Sequence, residues 1–173
     1  MVKLVNGRGQ LGKKLNKELK NFSTNGEVAI YHTWKVPHLY NPPPGQEEFI
    51  QQNEYNKLVK FCEENPKSKI IFISTNSSKS TWYTYYKELA EAYLLLNHKD
   101  CVILKFPLFI GKGVINKLKS GEITPYGVSE IITLDEVLKI VKQYINYKDL
   151  KRTFYIEGEK IQASTLVDLF KVQ

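Results

Sequence analysis

Tyr83 and Lys87 stand four residues apart in "TWYTYYKELAE", and Ser74–Thr75 precede them at the end of "KIIFIST". On a helix that spacing puts a phenol and an ammonium on one face. An ammonium near a phenol stabilises phenolate and draws the tyrosine pKa down from about 10. Such a phenol can give a proton to a carbonyl that receives hydride, or take one from an alcohol. A hydroxyl on the neighbouring strand end, Thr75, would hold the substrate oxygen. Spacing alone is weak, because Tyr31/Lys35, Tyr144/Lys148 and Tyr147/Lys151 repeat it. Only Tyr83/Lys87 opens a helix just after an apolar strand.

A second constellation lies at the start. "NGRGQLG" sets Gly7, Gly9 and Gly12 in the spacing G-x-G-x-x-G, between the apolar run "VKLV" and a helical pattern. The first glycine permits a tight turn, the second lets a pyrophosphate approach the backbone, and the third lets helix and strand pack closely. The strand–loop–helix context is what gives a bare match its meaning. An acid about 20 residues on would complete the fingerprint by binding a ribose hydroxyl. Here the second strand ends "YHTWK", with no carboxylate. Three readings stay open: a cofactor with a 2′-phosphate, an adenosine held another way, or no dinucleotide at all.

These groups need elements to position them. "VKLV" (2–5) reads as a short buried strand, and Leu11, Leu15, Leu19 and Phe22 recur at helical spacing to about Asn21. A second strand falls at roughly 27–33. The proline-rich "VPHLYNPPPG" then excludes helix and central strand. A helix over 46–64 turns Phe49, Ile50, Leu58, Phe61 and Cys62 inward. A fully apolar strand at 69–74, a helix at 82–97 and a strand at 101–106 follow. Beyond them come a short helix near 113–119, a helix opened by a Thr133–Glu136 capping box, a last strand in "RTFYIEG", and a closing helix capped by Ser164. Alternating helices and apolar strands predict an α/β fold, a mostly parallel sheet covered on both faces. The chain reads as one domain, 1–173, with a small substrate-side portion from about 107.

Composition narrows the class. With 42% apolar and 25% charged residues, the 173-residue chain reads as globular and long enough to bury a core. No apolar run approaches the roughly 20 residues that span a bilayer, and "MVKLVNGRGQLG" is not expected to act as a signal peptide. No membrane partner is expected. Cys62 and Cys101 sit in apolar segments, so two buried reduced thiols and a cytoplasmic setting are expected. The net charge of +7 is spread among acids, except around Arg8, Lys13, Lys14, Lys17 and Lys20. That group is a solvated face or a phosphate-attracting rim. Nucleic acid binding rests on charge alone, without a recognised motif.

The motifs carry a resemblance. "LVNGRGQLG", "IFISTNSS", "YTYYKELAE" and "VILKFPLFIG" resemble the nucleotide loop, the catalytic Ser/Thr strand, the Tyr-x-x-x-Lys helix and the following strand of extended short-chain dehydrogenases/reductases. Within that branch "GQLG" is most similar to dTDP-4-dehydrorhamnose reductases. "EIITLDEVLKIV" and "TFYIEGEKIQASTLVDLF" resemble the late elements, so the likeness covers most of the chain. It implies a Rossmann-like three-layer sandwich and an NAD(P)-dependent reductase, epimerase or dehydratase acting on a nucleotide-linked sugar, with NADP ahead of NAD. It implies Tyr83 as acid/base, Lys87 as its partner and nicotinamide-ribose ligand, and Thr75 on the reacting oxygen. Asn53 would support the lysine through a water, or else satisfy nearby backbone. Gly7, Arg8, Gly9, Gln10, Leu11, Gly12 and His32 would hold the cofactor. Phe109, Lys112, Lys117, Lys119, Trp34 and Tyr126 would line the sugar side, and a homodimer through the helices at 46–64 and 82–97 is in keeping.

Four departures stand against it. The glycine loop is one residue short of T-G-x-x-G-x-x-G, and Lys105 replaces the usual arginine. "EVAIYHTW" resembles the fourth strand, D-x-V-I-H-x-A, better than the second, which implies loss of the strands that cradle adenosine. Only seven residues separate Thr75 from Tyr83. A degenerate, non-catalytic binding or assembly module is the alternative reading.

Overall fold

The computed structural model describes residues 1–5, 9–35, 43–121, 127–162, 164, 165 and 168. Its elements run β1 (Val2–Val5), α1 (Gln10–Leu19), β2 (Val28–Tyr31), α2 (Glu47–Glu64), β3 (Lys69–Thr75), α3 (Trp82–Asn97) and β4 (Cys101–Phe106). Then follow β5 (Leu108–Ile110), α4 (Lys112–Lys119), β6 (Val128–Thr133), α5 (Leu134–Ile145), β7 (Arg152–Tyr155) and β8 (Glu159–Gln162). The expected α/β class and the parallel sheet are both present. The closing helix lies largely outside the described residues.

Five strands form one parallel sheet in the order β1-β2-β3-β4-β7. β3 and β4 are buried almost end to end because helices cover both faces. Alternate residues serve the two sides. Ile71, Ile73, Val102 and Leu104 pack with Leu11, Leu15 and Leu19 of α1 and Val137, Leu138 and Val141 of α5. Ile70, Phe72, Cys101 and Ile103 pack with Leu58 and Cys62 of α2 and Tyr86, Ala90 and Leu94 of α3. The two cysteines are free and buried, as their apolar settings imply.

This layering has a topological consequence. The steps β1→β2 and β2→β3 cross the sheet in one direction between parallel strands, yet α1 and α2 lie on opposite faces. The two crossovers therefore have opposite hands, although about 98% of such connections are right-handed. A doubly wound sheet winds outward both ways from β1, with the helices of its two halves on opposite faces. The position of α1 is the one proper to a half that winds away from β2, and here β1 is the sheet edge. The expected loss of the adenosine-side strands accords with that arrangement.

The sequence patterns did not reveal a second sheet, β5-β6-β8, with β5 parallel and β8 antiparallel to β6. Its strands are short and polar in part, as in "EKIQ", so they read as loop. Gly158 fastens it to the body. Its N–H donates to Glu130 Oε1 at 2.6 Å, and a Cβ there would lie 2.3 Å from the Ile131 carbonyl oxygen. The Asn76 amide reaches the other oxygen of Glu130 at 3.5 Å, tying this sheet to the loop after β3. α5 carries the expected capping box, with Thr133 and Glu136 satisfying each other's backbone N–H.

Candidate functional site

The C-terminal ends of the parallel strands gather the groups singled out above, as open α/β sheets do. Gly9 caps α1 with extended backbone (φ −72°, ψ 177°), and its carbonyl accepts from Lys13 N at 2.9 Å. No side chain caps this helix end and no acid lies in its first turn, so its N–H groups suit an anion. A Cβ at Gly9 would meet nothing within 4 Å among the described residues. Gln10 starts the helix at the surface, Leu11 enters the core, and Gly12 is buried in the first turn. Gly7, Arg8 and Tyr126 lie outside the described residues. In the basic rim Lys14 pairs with Asp135, and the neighbouring acid Glu18 is taken up by Lys142 of α5.

β3 and α3 bring Thr75, Tyr83 and Lys87 to one end of the sheet. The Thr75 hydroxyl accepts from Ser77 N at 3.2 Å, and Asn76 N donates to Phe106 O at 3.0 Å, which bends the short link without strain. A capping box between Thr81 and Thr84 then starts the helix. Thr75 and Tyr83 are half-buried.

Lys87 departs from expectation. It is only 3% exposed, and its Nζ donates to Ile73 O at 2.8 Å. The ammonium lies 4.6 Å from the Trp34 ring centre and 4.5 Å from that of Phe72, a cation held between two aromatic faces. It meets Tyr83 over the ring, 6.0 Å from the centroid. Burial pushes the Lys87 pKa down to about 7, against the opposing pull of Glu91 and Glu54. Burial also raises the Tyr83 phenol above its ordinary value, with no lowering from Lys87. The expected activation of phenol by ammonium is thus not set up. Desolvation dominates both groups, and the lysine is already bonded inside the protein.

Asn53 is half-buried on α2, but the inward stripe runs through Gln51, Glu54, Leu58 and Cys62. Phe49, expected inside, is 64% exposed. His32 follows β2 with its Nδ1 buried and unpartnered among the described residues. Burial lowers its pKa, and the charge of Lys87 adds to this while the Ile30 backbone partly opposes it. Trp34, expected to line a sugar cleft, is core.

Sequence reasoning missed the charged interior beside these groups. Glu91 accepts from the Ser74 hydroxyl at 2.5 Å and from Lys105 Nζ at 2.9 Å, all three buried. Glu54 is buried too and pairs with Lys57 at 2.6 Å. Glu91 lies one helical turn beyond Lys87, so the i, i+4 pattern that singled out Tyr83 would have found it as well.

No family model and no curated protein sequence matches the chain. Solved structures match it in shape. It is similar to UDP-N-acetylglucosamine 4-epimerase from Bacillus cereus, with TM-score 0.65 and 16% identity over 99% of this chain and 80% of that one. It is similar to RMD from Pseudomonas aeruginosa complexed with NADPH, with TM-score 0.69 and 12% identity over 97% and 80%. A third likeness is to dTDP-glucose 4,6-dehydratase from Bacillus anthracis in complex with NAD, with TM-score 0.68 and 10% identity over 99% and 79%. The chain therefore has the fold of extended short-chain dehydrogenase/reductase structures, the NAD-dependent epimerases and dehydratases, over nearly its whole length. Among the described residues no helix is long and apolar enough to cross a membrane.

A dinucleotide fits this site only in part. The open helix end at Gly9 suits a phosphate. The nicotinamide ribose would need Lys87, which is covered, and the adenosine would need strands beyond β1, which is an edge. Among the described residues, only the phosphate end of a dinucleotide finds a fit.

Proposed function

We propose that this chain is a binding and assembly module on the extended short-chain dehydrogenase fold, without hydride transfer of its own. The observation that carries this is the closure of Lys87 between Ile73 O, Trp34 and Phe72. The ligand class is a nucleotide-linked sugar, its diphosphate at the N-terminus of α1. The neighbours' names and the uncapped N-terminus of α1 support this ligand. A reducing, cytoplasmic setting is part of the reading, and the two free thiols support it.

The second reading is an NAD(P)-dependent reductase, epimerase or dehydratase, with Tyr83 as acid/base, Lys87 and Asn53 behind it, and Thr75 on the substrate oxygen. It is favoured by the position of Thr75 at the end of β3 and by Lys87 lying over the Tyr83 ring on the helix that follows. Thermal shift with NADH, NADPH and a panel of UDP- and dTDP-sugars separates the two. A ligand at 100 times its Kd stabilises the fold by about 2.7 kcal/mol, enough to register. The expected result is a shift with a nucleotide sugar, none with either dinucleotide, and no change in the sugar shift in Tyr83→Phe. Dinucleotide-dependent turnover that Tyr83→Phe abolishes would establish the second reading instead.

Assembly belongs to the same proposal. The outer face of α3 exposes Trp82, Tyr85, Leu89 and Leu96, and Phe49 of α2 is exposed too. Large apolar side chains exposed along one helix face suit an interaction site. A second copy packed there is expected to give twice the 20.1 kDa chain mass in light scattering, and Leu89→Lys to return the monomer. A wild-type monomer at every concentration would remove the dimer.

A further inference from the structure

The side chain that shuts Lys87 away is itself unusually well fixed. Trp34 Nε1 donates to Gln51 Oε1 at 2.7 Å, and Gln51 Nε2 donates to Lys35 O at 3.0 Å. One amide of α2 thus grips both the indole and the backbone that follows it. On the other side, the Thr33 hydroxyl donates to Val5 O at 2.9 Å, anchoring the preceding residue to the end of β1. The indole packs edge-on against Phe72, ring centres 5.9 Å apart, with the Lys87 ammonium beneath it. Gln51 is fully buried, and Trp34 is 9% exposed.

Simple packing asks less than this. An apolar residue after β2 would fill the same volume without a buried amide, which must find partners for both its ends. Here both ends are spent on holding Trp34 and its neighbour. An aromatic face also does for a desolvated ammonium what an aliphatic side chain does not.

We infer that Trp34 is a built-in plug and the residue that sets ligand specificity at this site: its indole, clamped by Gln51, closes the space over Lys87 Nζ that a nicotinamide ribose would have to enter. The inference rests on the proposed non-redox reading and gives its physical cause. A ligand diol cannot reach the lysine while the indole stays, so the site keeps its phosphate end and loses its ribose end. Lys87 becomes an internal amine, held by Ile73 O and two rings, in place of a cofactor contact.

The test is amine labelling of the full chain with a sulfo-NHS acetate reagent, read by peptide mass spectrometry at Lys87 and at exposed Lys60 as reference. In wild type, Lys87 is expected to label far more slowly than Lys60. In Trp34→Ala, with a native circular dichroism spectrum, Lys87 labelling is expected to rise by at least about tenfold, since the local barrier to access is gone. Trp34→Phe, which keeps an aromatic face, is expected to stay near wild type. A folded Trp34→Ala with Lys87 still protected overturns the plug, as does wild-type Lys87 labelling at the Lys60 rate. If Trp34→Ala loses its native spectrum, Gln51→Ala, which removes the indole's hydrogen-bond clamp and leaves a smaller cavity, is read by the same criterion. NADH fluorescence with the wild-type protein is scored separately. Dinucleotide binding there sinks the functional reading, whereas only Lys87 labelling decides the plug.

Discussion

Glu91→Ala is expected to lower the unfolding free energy by about 3–5 kcal/mol, the cost of breaking a buried pair from one side. That is a large share of the roughly 5–15 kcal/mol that holds a domain together. The carboxylate is the hub of the interior between α3 and the sheet. Its loss strands the Lys105 ammonium in β4 and the Ser74 hydroxyl in β3, both buried. Among the described residues, Lys105 then keeps the Tyr155 ring, 5.3 Å away, as a partner for its charge. Lys87 also loses one of the two carboxylates that support its protonated form. Replacing both partners, Glu91→Leu with Lys105→Met, is expected to recover most of the loss, because a well-packed apolar pair avoids desolvating charge. Urea unfolding measures all three proteins. A single-variant loss below about 1 kcal/mol, the range of exposed pairs, would show that water reaches this network.

The second large effect is on pH. Burial holds the folded pKa of Lys87 near 7, whereas an unfolded lysine titrates near 10.4. Between those values the unfolded chain binds a proton that the folded chain does not. Stability contributed by this residue therefore rises with pH across that window, by up to about 1.4 kcal/mol per pH unit. Below about pH 7 the folded state carries the buried ammonium, and the penalty is complete. Other groups titrate nearby and oppose the trend at higher pH. Burial raises the pKa of Cys62, Cys101, Tyr31 and Tyr83, so ionisation of these groups favours the unfolded chain. His32, close enough to feel Lys87, has its pKa lowered and contributes at the acidic end. Lys87→Met isolates the lysine. The unfolding free energy of wild type relative to Lys87→Met is expected to climb by about 2–3 kcal/mol from pH 6.5 to 9. A difference that stays flat over that range would place the ammonium in contact with solvent.

The local elements were legible because their signals are local. Leu11, Leu15 and Leu19 mark one helical face, "KIIFIS" marks a strand covered on both sides, and Thr133 with Glu136 marks a helix start. The small second sheet was not legible, since β8 mixes polar and apolar residues and is defined by its pairing with β6. The likeness of "EVAIYHTW" to a fourth strand implied loss of the adenosine-side strands, and the opposite faces taken by α1 and α2 accord with it.

The sequence by itself determined which side chains could meet. Tyr83, Lys87 and Glu91 share a helical face by spacing, and Thr75 ends the strand beneath them. Only the tertiary structure decided what each would do on meeting. Gln51, Glu54, Glu91 and Lys105 look like surface residues in one dimension, because charge and polarity say nothing about which helix face will be pressed against a sheet. Trp34 lies far from Lys87 in the chain, and no periodicity couples an indole to an ammonium. Periodicity sets direction within an element, whereas burial, and with it the pKa of Lys87 and the closing of its pocket, depends on how separate elements are stacked.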